Sequence, residues 1–290
     1  MLRLTASALV LALAACAPAA APSHEDAAPD AEVPAVEPAA SVDATTQAEI
    51  PKRADLTYTN TSDSSEVSFD VDPAILAFDE GLAAKIWVEA KVQVLEFSNM
   101  ADSDRRSADE AAAGSGGESW FRTYSLDVTH RATAAQADFI SVQHTVSQYT
   151  GGAHPNYFIG GSIYKRGQTD PLPLSAIIAD SAAFEQQVIN GIVDQKLARG
   201  YEETRPVLAS SVSEMLAPSA AIPNIYEGRF VLEESTEAGK FGGLSVLFSP
   251  YDVGSYAEGA YTVTLSAADL APILTPEWAG KFGGEPVVAE

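Results

Sequence analysis

The sequence predicts an α+β fold, an antiparallel sheet with packed helices, preceded by a signal peptide and a disordered tether. Three observations carry this. Polar and apolar residues alternate in several short segments whose spacing suits antiparallel pairing. Two longer segments repeat their apolar residues every three to four positions. The first 53 residues hold almost nothing large enough to build a core.

The chain opens Met1-Leu2-Arg3, runs without charge through residues 4–12, and reaches Leu13-Ala14-Ala15-Cys16. One positive charge, a short apolar run and a small-residue processing site make a signal peptide. The run is too short to span a bilayer, which takes roughly 20 residues. Small residues ahead of a single Cys suit a peptidase that cuts before a diacylated thioether. Residues 1–15 are therefore expected to be a lipoprotein signal peptide and Cys16 the lipidated mature N-terminus, which would make the membrane a partner through the lipid. An ordinary secretory signal with Cys16 as a bystander, or an unprocessed helix, is the alternative. Multiple acylation would give lasting attachment where one chain would not. Ala17, not Asp, follows the Cys. The expected location is the cell envelope, at the periplasmic face of the outer membrane in a Gram-negative cell.

Cys16 is the only cysteine among 290 residues, so no disulfide within the chain can support the fold. Residues 16–53 are dominated by Ala, Pro, Glu, Asp, Ser and Thr and read as an extended tether. Residues 54–290 are read as one α+β domain. Lys and Arg total 17 against 40 Asp and Glu, a net charge of −23, and loss of Arg3 with the signal peptide makes the mature chain one unit more negative. Nucleic acid is an unsuitable partner, whereas a cationic protein is a suitable one.

Within the domain, residues 66–72 alternate as a half-buried strand that Pro73 ends. Phe78, Leu82, Ile86, Ala90, Val94 and Phe97 then mark an amphipathic helix over 76–97. Residues 100–118 show no apolar period among their charges and glycines, and read as an exposed loop. Strands are expected at 120–133, 139–149 and 156–165, close enough to pair antiparallel. A helix over 181–199 carries Phe184, Val188, Ile192 and Leu197 and stops at Gly200. Strands at 225–233, 244–248 and 261–265 and a short helix at 267–274 complete the reading.

The most distinctive stretch is Gln148-Tyr149-Thr150-Gly151-Gly152-Ala153-His154-Pro155-Asn156-Tyr157, between two expected strands. Its paired glycines open backbone angles closed to other residues, and Pro155 fixes the turn. A second stretch, Phe248-Ser249-Pro250-Tyr251-Asp252-Val253-Gly254-Ser255-Tyr256-Ala257-Glu258-Gly259, precedes the strand from Tyr261. In this order the two motifs resemble the extracytoplasmic domain shared by the RsiV anti-sigma factor and the non-catalytic part of the PdaC peptidoglycan deacetylase, a family of unknown function. The resemblance covers most of residues 60–275. Pro155 departs from it, since the family's turn more often has Gly there. The resemblance implies an envelope domain that recognises cell-wall glycan or a wall-active protein such as lysozyme, with no settled catalytic residues. Tyr149, Gly151, Gly152, His154, Asn156, Tyr157, Tyr251 and Tyr256 are the candidate binding residues.

Catalytic chemistry has less support. Phe78-Asp79-Glu80-Gly81 is similar to the Phe-Asp-Asp-Gly of polysaccharide deacetylases, but the four histidines, His24, His130, His144 and His154, form no i, i+4 pair that would complete a metal site. Three of them on neighbouring strands could meet, although structural roles are the ordinary outcome. No Gly-x-Ser-x-Gly elbow is present. No cofactor and no metal are expected. The expected function is binding of peptidoglycan fragments or a cationic wall-degrading protein, the alternative being an envelope hydrolase acting on wall material.

Overall fold

In the computed structural model, residues 55–218 and 224–288 are described. The signal peptide over 1–15, Cys16, the tether over 16–53 and His24 lie outside the described residues.

The chain enters through strands β1 (Thr57–Thr61) and β2 (Ser65–Val71), then helices α1 (Pro73–Phe78) and α2 (Glu80–Ser115). Three long strands follow, β3 (Tyr124–Ala135), β4 (Phe139–Tyr149) and β5 (Asn156–Lys165). They complete a five-stranded sheet of order β1-β2-β3-β4-β5. Every neighbouring pair is antiparallel except β2 with β3, which the two helices connect as a parallel crossover. After helices α3 (Ser181–Ala198) and α4 (Arg205–Leu216) comes β6 (Phe230–Ser235), then β7 (Phe241–Phe248) and β8 (Tyr261–Ser266). A short α5 (Ala267–Leu270) and β9 (Pro286–Val287) close the chain. The second sheet has the order β8-β7-β6-β9, all antiparallel. The α+β class with antiparallel-rich sheets is therefore what the chain forms.

Period-2 patterning decides which face of the first sheet is buried. Val67, Phe69 and Val71 of β2, Leu126 and Val128 of β3, and Ile140 and Val142 of β4 pack against Leu82, Ile86, Ala90 and Val94 of α2. A second core gathers Phe184, Val188 and Ile192 of α3, Leu208 and Val212 of α4, and the inward residues of β6, β7 and β8 around Trp278. Hydrogen bonds fasten β6 and the turn before it to the first sheet. Leu232 N–H donates to Ser141 Oγ at 2.7 Å, Thr133 Oγ1 donates to the Leu232 carbonyl at 2.8 Å, and Gly161 N–H donates to the Gly228 carbonyl at 2.9 Å.

β1 and β9 had no counterpart in the sequence expectation, the 120–133 strand starts at Tyr124, and the 267–274 helix ends at Leu270; four further elements differ. The 76–97 helix is two helices, because Asp79 leaves the helical region (φ −156°) and caps α2 by accepting from Leu82 N–H at 2.9 Å. Residues 100–115 continue α2 instead of looping. Their buried stripe is Ala101, Ala108 and Ala112, small side chains that extend the face of Val94 and Phe97, and the helix stops at Gly116 in the left-handed region (φ 69°). Residues 205–216 form α4, where no element was expected. The 225–233 strand begins only at Phe230, after a turn.

The Phe-Asp-Glu-Gly segment that resembles a deacetylase motif is thus a junction between two helices. Asp79 Oδ2 also accepts from Gly167 N–H at 2.8 Å. The Leu82 amide bond, outweighing partial burial, and the Gly167 amide hold its carboxyl below the usual range. Asp79→Ala removes the cap and this tie, and is expected to lower stability by about 1–2 kcal/mol, measured as a shift of the urea midpoint at unchanged slope.

Candidate binding site

The β4–β5 hairpin keeps its register to the Gln148–Asn156 pair, and residues 150–155 form the turn beyond it. Gly151 has φ 80°, a conformation that L side chains resist, so glycine is required there. It sits against neighbours: a Cβ at Gly151 would lie 3.6 Å from the Tyr124 ring and 4.0 Å from Arg122 Cβ. Gly152 and Asn156 are exposed.

The segment between β7 and β8 is held on three sides. Asp252 Oδ2 accepts from Ser249 N–H at 2.6 Å and pairs with Arg229. Ser249 Oγ accepts from Ile159 N–H of β5 at 3.0 Å. Ser255 and Glu258 make a reciprocal capping box around a single 3-10 turn. Glu258 then reaches inward. Its Oε2 accepts from Lys196 Nζ of α3 and from Tyr261 O–H, both at 2.6 Å, and its Oε1 accepts from Ser255 N–H at 2.5 Å. The Lys196 and Glu258 side chains are only 5% and 12% exposed. Burial alone would raise the Glu258 carboxyl, but the bonds from Lys196, Tyr261, Ser255 and Tyr201 prevail and hold it far below the usual range.

These anchors bring the two motifs together. Tyr256 O–H donates to the Pro155 carbonyl at 2.5 Å, and the Tyr256 ring stacks on His154 at 3.9 Å between centroids and 21° between planes. His154 Nδ1 lies 3.0 Å from the same carbonyl. Tyr251 follows at 5.5 Å from Tyr256 and is 64% exposed. Among the described residues Tyr251 is the one non-glycine with positive φ, 77°. Strain of that kind costs on the order of 1–3 kcal/mol and persists where surrounding contacts over-determine it. The result is an aromatic ledge of His154, Tyr256 and Tyr251.

Not every candidate joins the ledge. Tyr149 and Tyr157 lie opposite Ser125 and Ser147 in the sheet register, on the face turned away from α2. His130 and His144 face each other across β3 and β4 with centroids 6.1 Å apart, away from the turn that carries His154. Burial, then the neighbouring His144 and Arg131, pushes His130 down to about 4, and burial lowers His144 as well. Among the described residues no group of three or more His, Cys, Asp or Glu side chains could hold a metal ion. Sequence reasoning did not single out Lys196, Glu258, Arg229 or Asp252. The Ser255-x-x-Glu258 spacing was the available signal.

Chemically, the site offers ring faces, hydroxyls and backbone carbonyls. Asp252 and Glu258, the carboxylates beside it, are each engaged by a cation and by backbone N–H.

No protein-family model matches the chain, and no curated protein matches it. Among solved structures, a member of the DUF3298 family from Bacteroides fragilis aligns with a TM-score of 0.47 at 16% identity, covering 75% of this chain and 88% of that one. A DUF3298 family protein from Pseudomonas aeruginosa aligns with a TM-score of 0.45 at 14% identity, covering 80% of this chain and 94% of that one.

Proposed function

We propose that the chain is a lipid-anchored envelope protein of the RsiV/PdaC type, tethered through Cys16, whose folded part binds cell-wall glycan without transforming it. The observation that carries the binding reading is the ledge: His154 stacked on Tyr256, with Tyr251 beside them in a strained, exposed conformation. Aromatic faces accept the apolar face of a pyranose while flanking polar groups take its hydroxyls. Engagement of Asp252 and Glu258 in structural bonds favours binding over hydrolysis, which needs a carboxylate free to exchange a proton or attack.

A tetramer of N-acetylglucosamine titrated into the purified full-length chain tests this. Tyr256→Ala is expected to weaken binding about tenfold or more, since an aromatic stacking contact accounts for roughly 1–3 kcal/mol of comparable base stacking. Equal affinity of the variant and the parent sinks the ledge as the glycan surface.

A second reading, capture of a cationic wall-degrading protein such as lysozyme, is favoured by the net charge of −23. Its mark would be association that falls steeply with added salt.

A further inference from the structure

The ledge lies in a strongly acidic chain, so any free cation beside it is informative. Among the described residues nearly every Lys and Arg is engaged. Lys85, Arg105, Arg131, Lys196, Arg205 and Arg229 form ion pairs. Arg106, Arg166, Arg199 and Lys240 donate to backbone carbonyls. Lys91 and Lys281 lie over aromatic rings. Only Arg122 and Lys165 among the described cations have none of these contacts. Lys165 ends β5, about 30 Å along the strand from the turn. Arg122 stands against the turn itself, its Cβ 4.0 Å from where a Gly151 Cβ would be. Gly151 and His154 are three positions apart, at most about 11 Å of chain, and a guanidinium extends several ångströms from its own backbone. Trp120, two residues before Arg122, is 67% exposed on the same connection.

We infer that Arg122 is the specificity residue of the ledge and selects glycans that carry a carboxylate, as a lactyl or peptidyl substituent of an amino sugar provides. This rests on the ledge being the glycan surface. Arginine presents a planar fork of donors matched to a carboxylate, and Gly152, on the turn between Gly151 and His154, has open space where a side chain would stand. Elsewhere the acidic surface repels an anionic ligand, which concentrates its binding at this position.

Three probes separate the contributions in the full-length chain: the neutral N-acetylglucosamine tetramer, a disaccharide tetrapeptide with free carboxylates, and the same muropeptide with its carboxylates methyl-esterified. Arg122→Gln is expected to weaken the free-acid muropeptide about tenfold and to leave the other two unchanged. Arg122→Lys should restore most of the loss at low salt. Arg122 is exposed, so an unchanged melting temperature will verify that both variants fold as the parent does. Retention of full muropeptide affinity by Arg122→Gln, or equal weakening of all three probes, overturns the assignment while the ledge stands. Failure of the parent to bind any probe overturns the ledge reading, and this inference with it.

Discussion

Replacement of Lys196 by Met is expected to cost about 3–5 kcal/mol of stability, because it leaves the Glu258 carboxylate buried without its cation. The ammonium is 2.6 Å from Glu258 Oε2 and lies over the Tyr201 and Tyr261 rings at 4.9 and 5.1 Å. Met reproduces most of the stem volume, so packing changes little and the loss reports the charge. Adding Glu258→Gln should recover a large part of it, since the pair is then removed from both sides. Chemical denaturation of the single and double variants measures the difference. A loss below about 1 kcal/mol for Lys196→Met would mean that solvent already screens the pair. The same substitution bears on binding. Glu258 fixes Ser255 and the turn that carries Tyr256, so the variant, under conditions where it stays folded, is expected to bind the glycan tetramer more weakly.

Acid is expected to destabilise the protein well above the carboxylate range, through His130. Its ring is half-buried on β3, its Nδ1 is buried with no hydrogen-bond partner, and His144 faces it from β4. Burial first, with His144 and Arg131 adding repulsion, lowers it from 6.5 to about 4. Between those values the unfolded chain takes up the proton and the folded chain does not. Stability is therefore fully present above pH 6.5 and is lost as pH falls towards 4. The loss amounts to about 3 kcal/mol, because each tenfold difference in proton affinity between the two states is worth about 1.4 kcal/mol. Glu258 adds a loss of the same sign below its ordinary value of 4.5. Glu233, whose carboxyl is raised by burial, acts in the opposite sense. Comparison with His130→Leu isolates the histidine, since both carboxylates are common to the two proteins. The variant should show a flatter dependence of unfolding free energy between pH 6.5 and 4. Superimposable slopes would show that His130 is solvated in the folded protein.

The parts of the fold that were legible in the sequence are those where one face is strongly apolar. β4 and β5 occupy 139–149 and 156–165, as expected, because both are short runs rich in β-branched and aromatic residues and the Gly151-Gly152 turn separates them. The second half of α2 was not legible, because its buried stripe is alanine and the acidic and serine residues around it resemble a loop. α4 escaped for a related reason: Leu208, Val212 and Leu216 keep a helical period, but Arg205-Pro206 at its start looks like a breaker, whereas proline in the first turn of a helix is well tolerated. The site was half legible. The glycine turn and the tyrosine segment announced themselves by composition, and the structure joins them through Tyr256 and His154. What holds them in place was not legible, since Lys196 and Glu258 are 62 positions apart and meet only when α3 packs beside β8. Tyr149 and Tyr157 were grouped with the ledge by proximity in sequence, although strand alternation puts them on the sheet face.

The most direct measurement is a residue-resolved amide chemical-shift titration of the purified chain with the N-acetylglucosamine tetramer. Saturable shifts are expected at Gly152, His154, Tyr251, Tyr256 and their neighbours in the two loops, with the helical face of α2 unmoved. Saturable shifts centred elsewhere, or none at millimolar ligand, would contradict the ledge as a glycan-binding surface.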